Sequence, residues 1–291
     1  MKDIKISGKT GICGIIGDPI EHTLSPAMHN SMYKTMNLDF VYLPFKVKSV
    51  DLGKAIAGIK ALNFRGLNVT IPHKVAVMPF LDKMDILADK IGAVNTIIND
   101  NGILTGYNTD AQGFLKALVE RDIRPAGKNV LLLGAGGAAR AVGFILSEER
   151  TRLTILNRKE ELSWATDLAK CLSQTYSGKV KAGELSRKNL EKLIPSTDIL
   201  VNATSVGMSP DSNETPVPGD LLCANLVVFD IVYNPYQTRL LREAKEAGAQ
   251  TINGLEMLVW QGVLAFEKFT GEKVPFELMR EAALKELPHE K

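Results

Sequence analysis

The sequence predicts an α/β protein in two parts: an N-terminal open α/β domain and a second domain with a doubly wound parallel sheet. Three observations carry this expectation. Short apolar runs bounded by glycine or polar turns alternate with segments of helical period, the pattern of parallel strands joined by covering helices. The 291 residues exceed what one hydrophobic core usually sustains. A second β–α start, NVLLLG from Asn129, opens onto a glycine-rich turn near mid-chain.

In the first third, strands are expected over residues 10–17, 39–47, 65–69 and 93–98, and helices over 26–36 and 50–62. Ser25 reads as the cap of the first helix, with Pro26 at its first position. The segment 110–121 has apolar residues at helical spacing and opens on an acidic side chain, the sign a helix N-terminus favours. The domain junction is placed there. After Asn129 a helix is expected from the glycines onward, then apolar runs over 152–156, 198–203 and 226–231. From Gly254, two segments with broad apolar faces and no strand between them are expected to return to the first domain. The expected division is residues 1–110 completed by 254–291, and residues 111–253. Residues 209–219, rich in Pro, Ser and Asn, read as an exposed loop.

Hydrophobic residues make up 45% and charged residues 23%, the proportions of a globular protein. A net charge of +2 from 35 basic and 33 acidic side chains leaves no global field for nucleic acid or an anionic membrane. Any anion site must therefore be local, and the expected partner is a small molecule, bound by a monomer or homodimer. Cys13, Cys171 and Cys223 are distant and odd in number, which argues against a disulfide framework or a metal site and for a reducing cytoplasm. Residues 1–8 lack an apolar signal core, and no run approaches the roughly 18 apolar residues of a membrane helix. A soluble, unprocessed chain is expected.

Gly134, Gly136 and Ala139 fit G-x-G-x-x-G/A between an expected strand and helix, the context in which that pattern binds a dinucleotide. Gly134 would allow the tight turn, Gly136 and Gly137 would admit a pyrophosphate to the backbone, and Ala139 would let helix and strand pack closely. A glycine turn that only joins the two elements is the competing account. About 20 residues further on, where an acidic side chain would hold the ribose of NAD, stand Asn157, Arg158 and Lys159. A guanidinium grips phosphate through paired bonds and stacks on adenine, so Arg158 points to the 2′-phosphate of NADP. A surface arginine paired with Glu160 or Glu161 is the alternative.

Polar motifs of the first domain fall at expected strand ends, where open α/β sheets bind ligands. In HTLSP, Thr23 and Ser25 offer hydroxyls ahead of a helix, although a serine placed like Ser25 is, taken alone, more often a plain cap. In NVTIPHK, Asn68 and Thr70 share one face of a strand and Lys74 follows at a turn. A lysine held by a carboxylate and shielded from water can give a proton to a carbonyl oxygen; without a partner it would be a solvated loop residue. GAVNT and GYNTD add Asn95 and Asp110, the latter at a helix start from which it could meet Lys74 or simply cap the helix. In the second domain, NATSVGM could line a nicotinamide pocket or be an ordinary turn. FDIVYNP brings Tyr233 near a strand end, and GLEMLVWQ puts Met257 and Gln261 on one helical face.

In order and spacing, HTLSP, NVTIPHK, GAVNT, GYNTD, GAGGAAR, NR, NATSVGM, FDIVYNP and GLEMLVWQ resemble the shikimate dehydrogenase family over nearly the whole chain. The resemblance implies a substrate domain joined across a cleft to an NADP-binding Rossmann domain, and reversible reduction of 3-dehydroshikimate to shikimate. It implies Lys74 and Asp110 as the catalytic pair, and Thr23, Ser25, Asn68, Thr70, Asn95, Tyr233 and Gln261 as holders of the substrate. For the coenzyme it implies Gly134, Ala135, Gly136, Gly137, Ala138, Asn157, Arg158, Lys159, Thr204, Ser205, Ile231, Gly254 and Met257. Two positions depart from the pattern. Thr23 stands where the family commonly has serine, which bears on activity toward shikimate and the bulkier quinate. Lys159 replaces a frequent threonine, adding charge and removing a short hydroxyl.

Overall fold

Apolar runs between glycine and polar turns become strands, and the computed structural model, which describes residues 6–176 and 178–287, gathers them into two six-stranded sheets. These residues form two compact units: the chain up to Asp110 together with Val259–Leu287, and Ala111–Leu258.

The first unit runs β1 (Gly11–Gly17), α1 (Ser25–Thr35), β2 (Phe40–Lys46), α2 (Leu52–Ala61), β3 (Gly66–Val69), α3 (His73–Ala76), β4 (Lys83–Met84), α4 (Ile86–Ile91), β5 (Thr96–Asp100) and β6 (Ile103–Tyr107), and α5 (Asp110–Val119) leads out of it. The sheet order is β2-β1-β3-β5-β6-β4. The expected mostly parallel sheet forms, with β1 parallel to β2 and β3 and β4 parallel to β6, and it is corrected only at β5, which is antiparallel to β3 and β6. The reversal is local. Asn101 and Gly102, at φ 53° and 87°, make the two-residue turn whose twist suits a hairpin. The expected cap is also corrected: Ser25 is itself the first residue of α1, and Leu24 flanks it without a side-chain cap.

Ile16, Ile56, Leu67, Val69, Ile97 and Leu104 build one buried core in this unit, each side chain adding about 1.5–3 kcal/mol when fully buried. Gly66 admits Phe269 against β3, because a Cβ there would lie 2.3 Å from the ring. Arg65 Nε donates to the Phe269 carbonyl at 2.8 Å, so the helix carrying Phe269 is tied to the sheet twice.

The second unit runs β7 (Asn129–Leu133), α6 (Gly137–Glu148), β8 (Arg152–Asn157), α7 (Leu162–Thr175), β9 (Lys181–Glu184), α8 (Arg187–Leu193), β10 (Ile199–Asn202), β11 (Val227–Asp230), α9 (Arg239–Glu246) and β12 (Gln250–Asn253). All its strand pairs are parallel, in the order β12-β11-β10-β7-β8-β9. The chain reverses its winding between β7 and β10, and in open α/β sheets ligands bind at such a switch. β10 is buried along its length, as a strand covered on both faces should be. The loop over 209–219 is not wholly exposed, since Val217 is buried in the core beside Leu200 and Val228.

The closing helices are α10 (Gly254–Thr270) and α11 (Phe276–Leu284). The unit boundary falls inside α10, between Leu258 and Val259, rather than at Gly254. Residues 288–291 of the expected return segment lie outside the described residues. Trp260 stacks on Phe276 at 4.5 Å, a packing role. No helix among the described residues is long and apolar enough to cross a membrane.

Candidate functional site

Lys74 sits on the one-turn helix α3, just past β3, and its Nζ donates to Asp110 Oδ2 at 2.7 Å. The side chains are 14% and 6% exposed, so this pair is largely withdrawn from water. Each charge is tolerated there because the other compensates it, and losing one would strand its partner. Asp110 opens α5, where the helix dipole also favours a carboxylate.

A directed chain of hydrogen bonds stands behind the pair. The buried Tyr42 hydroxyl donates to Asn68 Oδ1 at 2.6 Å, which turns the Asn68 Nδ2 toward Thr96 Oγ1 at 3.0 Å and the Asn95 carbonyl at 3.2 Å. Thr96 Oγ1 then donates to Asn95 Oδ1 at 3.0 Å, and the Thr109 amide donates to the same oxygen at 2.8 Å. With its oxygen so engaged, Asn95 aims Nδ2 at Asp110 Oδ1 and Thr109 Oγ1, both at 2.9 Å, and at Gln261 Oε1 at 3.5 Å. Both carboxylate oxygens of Asp110 are thus committed. The backbone carbonyl of Lys74 accepts from Val94 N at 2.7 Å, which anchors α3 beside this network.

Of the expected site residues in the first unit, the structure joins Lys74, Asp110, Asn68, Asn95 and Gln261 in one network. Ser25 is buried and neighbours the Tyr42 hydroxyl, while Thr23 Oγ1 accepts from Ser25 N at 3.4 Å. Thr70 lies one residue beyond β3 rather than within it. Tyr233 belongs to the second unit, and desolvation raises its hydroxyl pKa. Sequence reasoning missed Tyr42, Thr96 and Thr109. The threonines lie inside quoted motifs, and a phenol in the apolar run FVYLPF was the remaining signal.

In the second unit, Gly134 has φ +100°, and a Cβ there would sit 2.8 Å from the Ala203 carbonyl oxygen. Glycine is required on both counts. Gly136 flanks α6 in an extended conformation, and a Cβ on it would meet open space. That freedom is what a phosphate cradle at a helix start needs. Ala135 is buried, Gly137 opens α6 and Ala138 follows it half-buried. Asn157 ends β8, and its Nδ2 donates to the Glu161 carbonyl at 3.0 Å, shaping the turn that carries Arg158 and Lys159. Arg158, 67% exposed, is hydrogen-bonded to Glu161 and holds that carboxyl below its ordinary range.

After β10, Asn202 Oδ1 accepts from Thr204 N at 3.1 Å and Thr204 Oγ1 at 2.7 Å, with Ser205 exposed at the tip of the turn. After β11, Ile231 approaches α10 so closely that a Cβ on Gly254 would lie 2.2 Å from its carbonyl oxygen. Met257 is buried one turn further along.

Residues 15–97 match the shikimate dehydrogenase substrate binding domain, and residues 254–284 match the shikimate 5′-dehydrogenase C-terminal domain. A shikimate dehydrogenase (NADP(+)) from Carboxydothermus hydrogenoformans is 48% identical over 281 residues, 96% of this chain and 98% of the relative. A crystal structure of a shikimate dehydrogenase in complex with NADP+ superposes with a TM-score of 0.92 at 41% identity, covering 98% of both chains. The Thermus thermophilus enzyme in complex with NADP(H) and shikimate gives a TM-score of 0.86 at 37% identity, over 96% of this chain and 100% of the other. With identity of this order over almost the full length of relative and solved structure alike, the chain belongs to the shikimate dehydrogenase family.

Proposed function

We propose that this chain is an NADP-dependent shikimate dehydrogenase, which reversibly reduces 3-dehydroshikimate to shikimate in chorismate and aromatic amino acid biosynthesis. The observation that carries the reading is the shielded Lys74–Asp110 pair, braced by Asn95. NADPH, when bound, supplies the hydride that adds to the ketone carbon. Lys74 Nζ gives a proton to the ketone oxygen as negative charge develops on it. Asp110 aims that ammonium, and Asn95 fixes the carboxylate from behind. Thr23 and Ser25 bind the substrate carboxylate, and Asn68, Thr70, Asn95, Tyr233 and Gln261 bind its hydroxyls.

The residues present suit the coenzyme. The left-handed turn at Gly134 and the open space at Gly136 suit a pyrophosphate at the start of α6. Ala135, Gly137 and Ala138 complete that turn, and Asn157, Arg158 and Lys159 receive the adenosine 2′-phosphate. Thr204, Ser205, Ile231, Gly254 and Met257 bound the nicotinamide. Cys13, Cys171 and Cys223, odd in number and distant in sequence, suit a reducing cytoplasm as the location.

The test is absorbance at the reduced-nicotinamide band during incubation with shikimate and NADP+. NADPH should form at a rate proportional to enzyme; a flat trace overturns the reading. Parallel rates on quinate and with NAD+ separate it from a dual quinate/shikimate dehydrogenase, which would use all four combinations at similar efficiency.

A further inference from the structure

Asp230, the last residue of β11, is fully buried, and no ion pair reaches it among the described residues. Three neutral donors surround it instead: Asn202 Nδ2 at 2.9 Å and Val232 N at 3.1 Å on Oδ1, and Thr238 Oγ1 at 2.7 Å on Oδ2. Each donor comes from a different place: the end of β10, the turn after β11, and the residue that caps α9. Burying a carboxylate without a cation is costly, and desolvation pushes Asp230 up to about 6. What a carboxylate offers is two oxygens that only accept. An amide would turn a donor toward one of the three.

Asn202 passes the constraint onward. Its Nδ2 donates to Asp230 at 2.9 Å and, over a longer 3.3 Å, to the Val206 carbonyl, so its Oδ1 faces the Thr204 amide and hydroxyl, and Thr204 Oγ1 in turn accepts from Val206 N at 3.1 Å. Thr204 and Ser205 are therefore linked through Asn202 to Asp230, the nearer of the two acceptors that orient the Asn202 amide, although neither touches it. We propose that Asp230 is a positioning residue for the coenzyme: through Asn202 it sets the turn of Thr204 and Ser205 at the switch point of the second sheet. The inference rests on the coenzyme site proposed above.

The experiment compares NADP+ binding by calorimetry, the KM values for NADP+ and shikimate, and the denaturation midpoint for wild type, Asp230→Asn, Asn202→Ala and Thr238→Val. Losing one well-placed buried hydrogen bond should weaken NADP+ binding and raise its KM by about tenfold in Asp230→Asn and Asn202→Ala, with the shikimate KM changing by less than about threefold. Thr238→Val, which removes a donor and the α9 cap but leaves Asn202 bonded to Asp230, should lower the midpoint and leave the NADP+ KM within about twofold of wild type. If Asp230→Asn does not fold, Asn202→Ala decides alone. Folded Asn202→Ala with the wild-type affinity for NADP+ overturns the inference, as does a Thr238→Val that loses as much affinity. Wild-type protein that binds no NADP+ overturns the coenzyme site and this inference together.

Discussion

Each unit buries an aspartate at the end of its sheet and surrounds it in the opposite way. Asp110 meets a cation, Lys74, and one amide; Asp230 meets three neutral donors and no charge. Lys74 keeps 14% of its side chain exposed, whereas Asp230 is sealed. The partners decide the use. A carboxylate that holds an ammonium near the surface can keep a proton ready for transfer, while one that ties three turns together can only hold them still. The contrast predicts that the first network governs turnover and the second governs affinity and stability.

The largest expected effect is on the first network. Lys74→Ala should lower turnover by about 10² to 10⁴-fold, the usual share of a general acid. A variant with wild-type kcat would erase the contrast. Next comes the turn at Gly134, where alanine would be forced into the left-handed region and against the Ala203 carbonyl. Gly134→Ala should cost about 1–3 kcal/mol in denaturant unfolding; no loss would mean that the turn is not under the constraint described. Arg158→Ala should raise the KM for NADP+ by about tenfold and leave that for NAD+ unchanged, since only NADP carries the 2′-phosphate. An equal change for both coenzymes would detach Arg158 from the phosphate.

Acid titration sharpens the comparison further. Asp230 has a folded pKa raised from 3.8 to about 6, so the native state binds the extra proton and stability falls as pH rises through that window. Buried His29, stacked on Tyr42 in the first unit, is lowered from 6.5 to about 3 by desolvation. There the unfolded state binds the proton, and stability rises with pH over the range. The two slopes oppose each other between about pH 4 and 6. Asp230→Asn should remove one of them, adding a rise of up to about 1.4 kcal/mol per pH unit relative to wild type in unfolding experiments. A difference curve without slope would show that Asp230 titrates normally. The smallest change is expected of Thr23→Ser, which keeps the hydroxyl and removes a methyl. The ratio of shikimate to quinate efficiency should move by less than about fivefold, because one methyl group is worth only about 1 kcal/mol.

Much of this was legible in the chain because the signals are local. The glycines after β7, the helical spacing of 110–121 and the apolar runs of the second sheet all act over a few residues, and the structure places those elements close to expectation. The antiparallel hairpin is equally local: Asn101-Gly102 is a hairpin dipeptide, and it turns β6 back along β5 inside a sheet whose other pairings, apart from β3 with β5, are parallel. The helix cap failed for a different reason. Ser25 was judged by type, yet it was drawn into α1 and toward Tyr42.

Residue type and spacing alone were enough for the α/β class, the glycine turn, the arginine where an NAD enzyme has an acid, and the list of polar side chains. They could not show which of those side chains meet. Asn95 reaches Gln261 across 166 positions of chain, Asp110 reaches Lys74 across 36, and Asp230 reaches Asn202 across 28. Such meetings depend on strand order and packing, which bring distant groups within 3 Å or so only once the whole sheet has formed. Partnership has the same origin, and it is the partners, an ammonium on one side and three neutral donors on the other, that give the two buried aspartates their different characters.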